Sequence, residues 1–443
     1  MITQQTPAAF CDPLPDAVDV AIIGAGIAGT ATAYFLARAG VSVLLCEKGR
    51  VAGEQSSRNW GWVRQQGRDE AELPIMIEAN RLWRGLAKET GEPDLAFTPC
   101  GCVYVAPDPQ KLAKFEGWCE TARRHQLDTR MLTGDEVAEL LPGVAGEWIG
   151  GMVTPSDGRS EPQTAVPALA RAAKRLGVVI AENCAVRTLD LQGGRLAGIV
   201  TEQGRVRCGS VVLAGGAWSG AFAGNAGIEV PQLLVRATVM RTGPAPPVVG
   251  PNVSLAGLAL RRRGDGGYTV ATGLADHFVG PPSFRHALRF RKLLKRSARE
   301  LRLLPAAPTG YPGAWGAARR WTADAETPFE RVRVLDPVPS RPAIRRIRAR
   351  LPEYVPALRD VGFAGAWAGM IDVTPDAVPV LGEVDAMPGL FVATGLSGHG
   401  FGIGPAVGRI AADMVQGRAP GQDLDRFRLR RFFDGSAIVP GPY

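Results

Sequence analysis

Histidine is scarce in this 443-residue chain. There are four, His125, His277, His286 and His399, and no Ser-His-Asp or paired-carboxylate spacing accompanies them, so hydrolytic mechanisms find little support. Seven cysteines, odd in number and widely scattered, argue for reduced thiols rather than a disulfide framework. Cys100-Gly-Cys102 is the one close pair, and no His or Cys pair stands beside it at zinc-ligand spacing, so no metal is expected. Long apolar runs are missing as well. No stretch approaches the roughly 18 uncharged apolar residues that span a bilayer. The opening MITQQTPAAFCDPLPDAVD has neither Lys, Arg nor an apolar segment, unlike a signal peptide; residues 1–17 are expected as a loose tail and the protein as cytoplasmic. Lysine is absent between Lys174 and Lys292.

What is present is a composition 46% apolar, enough for a large core, on a chain long enough for two domains. A net charge of +8 raises the question of nucleic acid. Much of the excess, however, sits in His286-Ala-Leu-Arg-Phe-Arg-Lys-Leu-Leu-Lys-Arg-Ser-Ala-Arg-Glu-Leu-Arg302, where Leu288, Leu293, Leu294 and Leu301 make a helical apolar stripe. That pattern predicts an amphipathic surface helix, with a polyanion or membrane-surface role as the rival, and no nucleic-acid partner. Its charge can also steer anionic substrates.

The strongest motif lies near the start. Asp19-Val-Ala-Ile-Ile23 suits a buried parallel strand; it runs into Gly24-Ala-Gly26-Ile-Ala-Gly29 and then into the helical Thr30-Ala-Thr-Ala-Tyr-Phe-Leu-Ala-Arg38. The first glycine permits the tight turn, the second lets backbone approach a pyrophosphate, and the third allows close helix–strand packing beneath a helix N-terminus that attracts anions. A second run, Val41-Ser-Val-Leu-Leu-Cys46, ends in Glu47, placed for a ribose 2′-hydroxyl. An acid there argues against NADP and fits the adenosine of NAD or FAD. Two later features favour FAD: Ser210-Val-Val-Leu-Ala-Gly-Gly216-Ala-Trp218 and the loop Gly395 to Gly408 both return an apolar strand to glycines, more than a nicotinamide fingerprint requires. An NAD-dependent dehydrogenase or disulfide reductase would need features not found, a second GxGxxG or a CxxxxC pair.

In this order the motifs resemble the D-amino-acid oxidase and sarcosine oxidase superfamily of FAD-dependent amine oxidoreductases. The resemblance spans Val18 to Phe432 and rests on the opening βαβ, Glu47-Lys-Gly-Arg-Val-Ala-Gly53, Ser56-Ser-Arg-Asn-Trp-Gly-Trp-Val-Arg64, Val211 to Ser219, Thr374-Pro-Asp-Ala-Val-Pro379 with Gly382, and Ser397-Gly-His-Gly-Phe401. Glu47 to Arg64 and Trp367 to Asp376 look most like β-subunit-type sarcosine oxidases and secondary-amine or D-amino-acid dehydrogenases. It implies an α/β (α+β overall) architecture, a Rossmann-like FAD domain built from residues 18–75, 155–225 and 358–432. A substrate domain with a large antiparallel sheet would take 76–154 and 226–357, with 433–443 as a C-terminal tail. Phe97 to Ala106 and Leu258 to Thr272 carry β-type residues around glycine turns, the second with Gly264-Asp-Gly-Gly267 at a hairpin tip.

The resemblance places FAD against Gly24, Gly26, Ile27, Ala28 and Gly29, against Glu47, Lys48 and Gly53, and against Ser56, Ser57, Arg58, Asn59, Trp60 and Gly61. Val186, Ala214, Gly215 and Trp218 follow, then Gly398, His399, Gly400, Phe401 and Gly402. Substrate is expected near Arg64, Trp62, Trp367, Met370, Ile371 and Asp372, with His399, Arg64 and Asp372 as candidate catalytic residues. His399 is expected to orient or to stabilise charge, the loop acting mainly through its backbone.

Departures from the family pattern are as informative. Ile371-Asp372 stands where glycine and D-amino-acid oxidases hold the Arg-Pro that clamps a substrate carboxylate. Arg64 matches the early-loop arginine of monomeric sarcosine oxidases, but Gly402 replaces their lysine. No cysteine occurs in Ala366 to Met370, so FAD is expected to be non-covalent. With no lysine between Lys174 and Lys292, the group those oxidases use towards O₂ is missing, and O₂, a quinone or another carrier all stay open as acceptor. The expected activity is oxidation of the C–N bond of an amino acid or secondary amine; a non-catalytic or electron-relay FAD-binding subunit is the rival, with membrane or subunit association open.

Overall fold

In the computed structural model, which describes residues 1–441, the Val20–Ile23 run is a central strand. Its sheet reads Val380–Glu383, Leu390–Thr394, Ser210–Leu213, Val20–Ile23, Val43–Cys46, Val179–Ala181. All neighbours are parallel except the first pair. Parallel strands need crossovers, so the sheet collects segments from the whole chain. Ala21, Ile22, Leu44 and Leu45 are fully buried, because helices cover the sheet on one side, and the small antiparallel sheet Val186–Gln192, Arg195–Thr201, Gly204–Arg207 with Trp218 and Phe222 covers the other.

Two helices meet against this sheet, Ile27–Arg38 and Gly400–Val415. A Cβ on Gly404 would lie 2.3 Å from Ile27 Cγ1, and one on Gly408 would lie 2.4 Å from Ala31 Cβ. Only glycine fits, so these two glycines of the C-terminal run serve helix packing.

The second sheet reads Phe363–Val373, Leu233–Thr242, Tyr268–Phe278, Leu258–Arg262, Asn252–Leu255, Cys102–Ala106, Gly150–Thr154, Arg130–Thr133. It is antiparallel apart from the parallel pairing of Asn252–Leu255 with Cys102–Ala106 and of Leu301–Leu304 with the Tyr268 strand. The expected hairpin forms, with Gly266 at φ +83° in its tip. The architecture is the mixed α/β arrangement the motifs imply.

Two details differ from the sequence reading. Residues expected as a loose tail are docked: Phe10 is buried, and the backbone amides of Ala9 and Phe10 both donate to Glu182. Apolar burial and a buried carboxylate hold that segment in place. The Arg-rich helix is present as Ala287–Ser297, but Phe290 and Leu293 form its inward face, with Leu294 packed beside them, while Leu288 is 77% exposed. Leu301 has left the helix for a strand. Residues 442–443 of the expected C-terminal tail lie outside the described residues.

Candidate cofactor and substrate site

A cleft runs from the first glycine turn to the N-terminus of the Gly400–Val415 helix. At one end Gly24, with φ +100°, passes so close to the neighbouring strand that a Cβ would lie 2.7 Å from the Ala214 carbonyl oxygen. Gly26, Ile27 and Ala28 line the cleft beside it; Gly29 packs beneath the turn. The helix N-cap at Gly26 has no side-chain partner, which leaves N–H groups directed at an incoming anion. Ser56 fixes the turn by accepting from Ile27 N at 2.9 Å.

Glu47 lines the cleft just after the Val43–Cys46 strand. Its carboxylate accepts from Ala25 N at 2.9 Å and Gly49 N at 2.8 Å, and burial pushes its pKa up. Lone pairs remain on both oxygens for a ribose hydroxyl. Lys48 Nζ donates to Glu54 at 2.6 Å, to the Val332 carbonyl at 2.8 Å and to the Arg333 carbonyl at 2.9 Å, and lies 4.5 Å from the Trp218 ring centroid. It therefore ties a strap, residues 328–336, across this end. Phe329 anchors the strap among Trp218, Phe222 and Trp321; Arg333 pairs with Glu202, and Asp336 with the buried Arg58 at 2.5 Å. Phe329 and Arg333 line the cleft. Motif reading missed the strap, which is recognised mainly through its backbone carbonyls and so leaves little trace in side-chain pattern. A narrow, glycine-floored, acid-tipped cleft of this length fits an extended dinucleotide.

Lys48, Gly53, Ser56, Asn59, Val186, Ala214, Gly215, Trp218, Gly398, Gly400 and Phe401 all line the cleft. Ser57, Arg58, Trp60, Gly61 and Gly402 support it from behind: Ser57 and Arg58 are buried, and the Gly402 carbonyl accepts from Trp83 Nε1 at 2.9 Å. At the second end Met370 and Asp372 face the cleft. Asp372 Oδ2 accepts from Gly395 N at 2.8 Å, and burial raises its carboxyl to about 6. The turn after Thr374 is held instead by Asp376, which bonds Val378 N and the Arg431 guanidinium. Ile371 lies on the opposite face of the strand, 3.7 Å from where a Cβ on Gly398 would sit. Trp62 packs with Tyr104, Phe115 and Trp118, and Trp367 with Val239, Ala271 and Trp60; neither lines the cleft.

His399 is the N-cap of the Gly400–Val415 helix. Its ring is not part of the cleft wall; it reaches Glu72, with Nδ1 3.2 Å from Oε2. Burial lowers its pKa, with Arg68 adding to the effect and Glu72 opposing it. Glu72 and Arg68 are buried; in the sequence they precede an ordinary helix, Glu72 327 residues from the histidine. Arg64 donates to the Gln66 carbonyl and sits 5.7 Å from the Tyr104 ring centroid. Among the described residues no cluster of three or more His, Cys, Asp or Glu could hold a metal, and no helix is long and apolar enough to cross a membrane.

A glycine turn, an acid at the second strand, and a late-returning strand and helix at the far end of one cleft define a dinucleotide-binding oxidoreductase fold of the flavin type. Residues 19–414 match the family described as FAD dependent oxidoreductase, and the chain belongs to that FAD-dependent family. It is similar to L-amino acid deaminase from Proteus myxofaciens, solved in complex with anthranilate: 31% identity, TM-score 0.91, 98% of this chain and 100% of that one covered. The 4-methylaminobutanoate oxidase (formaldehyde-forming) of Paenarthrobacter nicotinovorans is 28% identical over 95% of this chain and 46% of its own length. Human mitochondrial sarcosine dehydrogenase is 25% identical, with 95% and 42% covered. The chain thus spans less than half the length of these two relatives.

Proposed function

We propose that this protein oxidises the C–N bond of an amino acid or a secondary amine, using FAD bound non-covalently in the cleft. The carrying observation is the cleft itself, whose two ends are both capped by helix N-termini and whose far end brings Met370 and Asp372 to the same wall. When bound, FAD supplies the acceptor for a hydride equivalent from the carbon next to nitrogen; water then hydrolyses the resulting imine to an oxo acid or aldehyde plus the amine. The chain's part is to hold and to shield. Free amides in the first turn at Gly400 and Phe401 favour negative charge beside them. Asp372 braces Gly395 and so sets the path of the whole glycine loop. His399, gripped by Glu72, anchors the same turn from behind. The cysteines lining the cleft, Cys46 and Cys184, sit at the Glu47 end, which supports non-covalent attachment.

Similarity to an L-amino acid deaminase and to N-methyl amine oxidoreductases supports this substrate range. Anaerobic mixing of the purified holoprotein with a panel of amino acids and secondary amines is expected to bleach the visible flavin absorption. No bleaching by any of them, with FAD bound, would favour the electron-relay subunit instead. Acid precipitation, which should release the flavin into the supernatant, checks its attachment.

A further inference from the structure

The segment from Gln66 to Arg68 leaves two buried donor atoms unpaired. Gln66 Nε2 and Arg68 Nη1 make no hydrogen bond, although Gln66 is 0% and Arg68 4% exposed; the nearby Glu72 Oε2 is held by His399 Nδ1 at 3.2 Å. Their other atoms are held. Gln66 Oε1 accepts from Thr154 Oγ1 at 2.9 Å, Arg68 Nε donates to the Arg64 carbonyl at 3.3 Å, and the Arg68 carbonyl accepts from Trp118 Nε1 at 3.1 Å. The side chains are thus fixed while their free ends are unsatisfied. Native interiors leave few such groups, because each costs the desolvation of a donor or acceptor. Two within three residues point to a partner that the polypeptide does not supply.

The nature of that partner follows from what is free. Asp157 already accepts from Gln65 N, Gln66 N and the Gln65 amide, and Glu72 faces His399. Unclaimed are an amide NH₂ and one arm of a guanidinium, two donors suited to the oxygens of a carboxylate. Burial brings the Arg68 pKa down to about 10, which keeps it cationic at neutral pH. The rim is more accessible than the floor: the His399 side chain is 16% exposed, and Gly398 and Gly400 on either side of it line the cofactor cleft.

We propose that Gln66 and Arg68 seat the carboxylate of the substrate, making them specificity-determining residues beside the Gly398–Gly400 turn. The proposal rests on the amino-acid reading above and deepens it. It also gives the chain a carboxylate seat of its own, since Ile371 stands where related oxidases carry the clamping arginine.

The test is titration of the holoprotein with anthranilate and with aniline, which lacks the carboxylate, followed by the shift of the bound flavin's visible spectrum. Anthranilate should bind and aniline should bind at least about tenfold more weakly. Arg68→Met should weaken anthranilate about ten- to hundredfold, with partial recovery in Arg68→Lys. Gln66→Glu keeps the Oε1 acceptor and the shape but turns the free donor into an anion, and should weaken anthranilate by about tenfold or more. It carries the test if Arg68→Met does not fold. Unchanged anthranilate affinity in folded, FAD-loaded variants would show that only water fills the site and would overturn the proposal. Reduction by simple amines without any carboxylate preference would overturn the seat and leave the proposed oxidation standing. Arg68-dependent anthranilate binding with no reduction by any amine would uphold the seat and remove the oxidation.

Discussion

The two ends of the cleft are finished to different degrees. Around Gly24 and Glu47 the polar side chains are tied to the protein itself: Glu47 and Ser56 bond backbone amides, and Lys48 has three oxygen partners. Around His399, buried donors at Gln66 and Arg68 have none. A satisfied site holds one ligand as a fixed part of the fold, whereas an unsatisfied one gains its missing bonds only while a ligand is present. The first arrangement suits a resident cofactor, the second something that comes and goes.

The largest expected effect comes from breaking the finished end. Gly24→Ala puts a Cβ at φ +100° and 2.7 Å from the Ala214 carbonyl; such strain costs about 1–3 kcal/mol before the overlap is added. FAD retention should fall about a hundredfold, leaving a colourless protein after gel filtration. Glu47→Gln, which removes the charge from an acceptor of two amides, is expected to weaken FAD about tenfold, measurable by fluorescence titration of the apoprotein. Lys48→Met loosens the strap without touching the glycine turn. FAD should then dissociate several-fold faster in a stopped-flow exchange experiment, and an unchanged rate would show that the strap is only a surface contact.

At the other end the effect falls on stability against pH rather than on FAD binding. Asp372 is buried, and its pKa rises from 3.8 to about 6. A carboxyl with a raised folded pKa contributes its stability fully below the unfolded value and loses it as pH climbs through the folded one. Asp372→Asn retains an oxygen for Gly395 N and has nothing to ionise. The variant should therefore gain about 3 kcal/mol relative to the parent as pH rises from roughly 4 to 6, seen as a flatter melting-temperature profile.

Much of the finished end was legible in the sequence, because a tight turn, a close backbone approach and a strand-end acid each demand particular residues at fixed spacing. The hairpin at Leu258–Phe278 was legible for the same reason. The strap was not, since its grip passes through the carbonyls of Val332 and Arg333, which every residue type possesses. Glu72 was equally silent: nothing near it in the chain hints at a histidine 327 residues away. Trp62 and Trp367 drew attention by their position in motifs, yet large aromatic area is as useful in a core as in a pocket, and here it is buried against other rings.

The contact between the helices beginning at Ile27 and at Gly400 carries one more consequence. Pressed together where Ile27 and Ala31 meet Gly404 and Gly408, they act as the rigid arms of a caliper whose tips are the amide-bearing N-termini. The opening between those tips is set by covalent backbone dimensions rather than by adjustable rotamers. A ligand that reaches both tips gains two helix N-termini, and a shorter one gains only one.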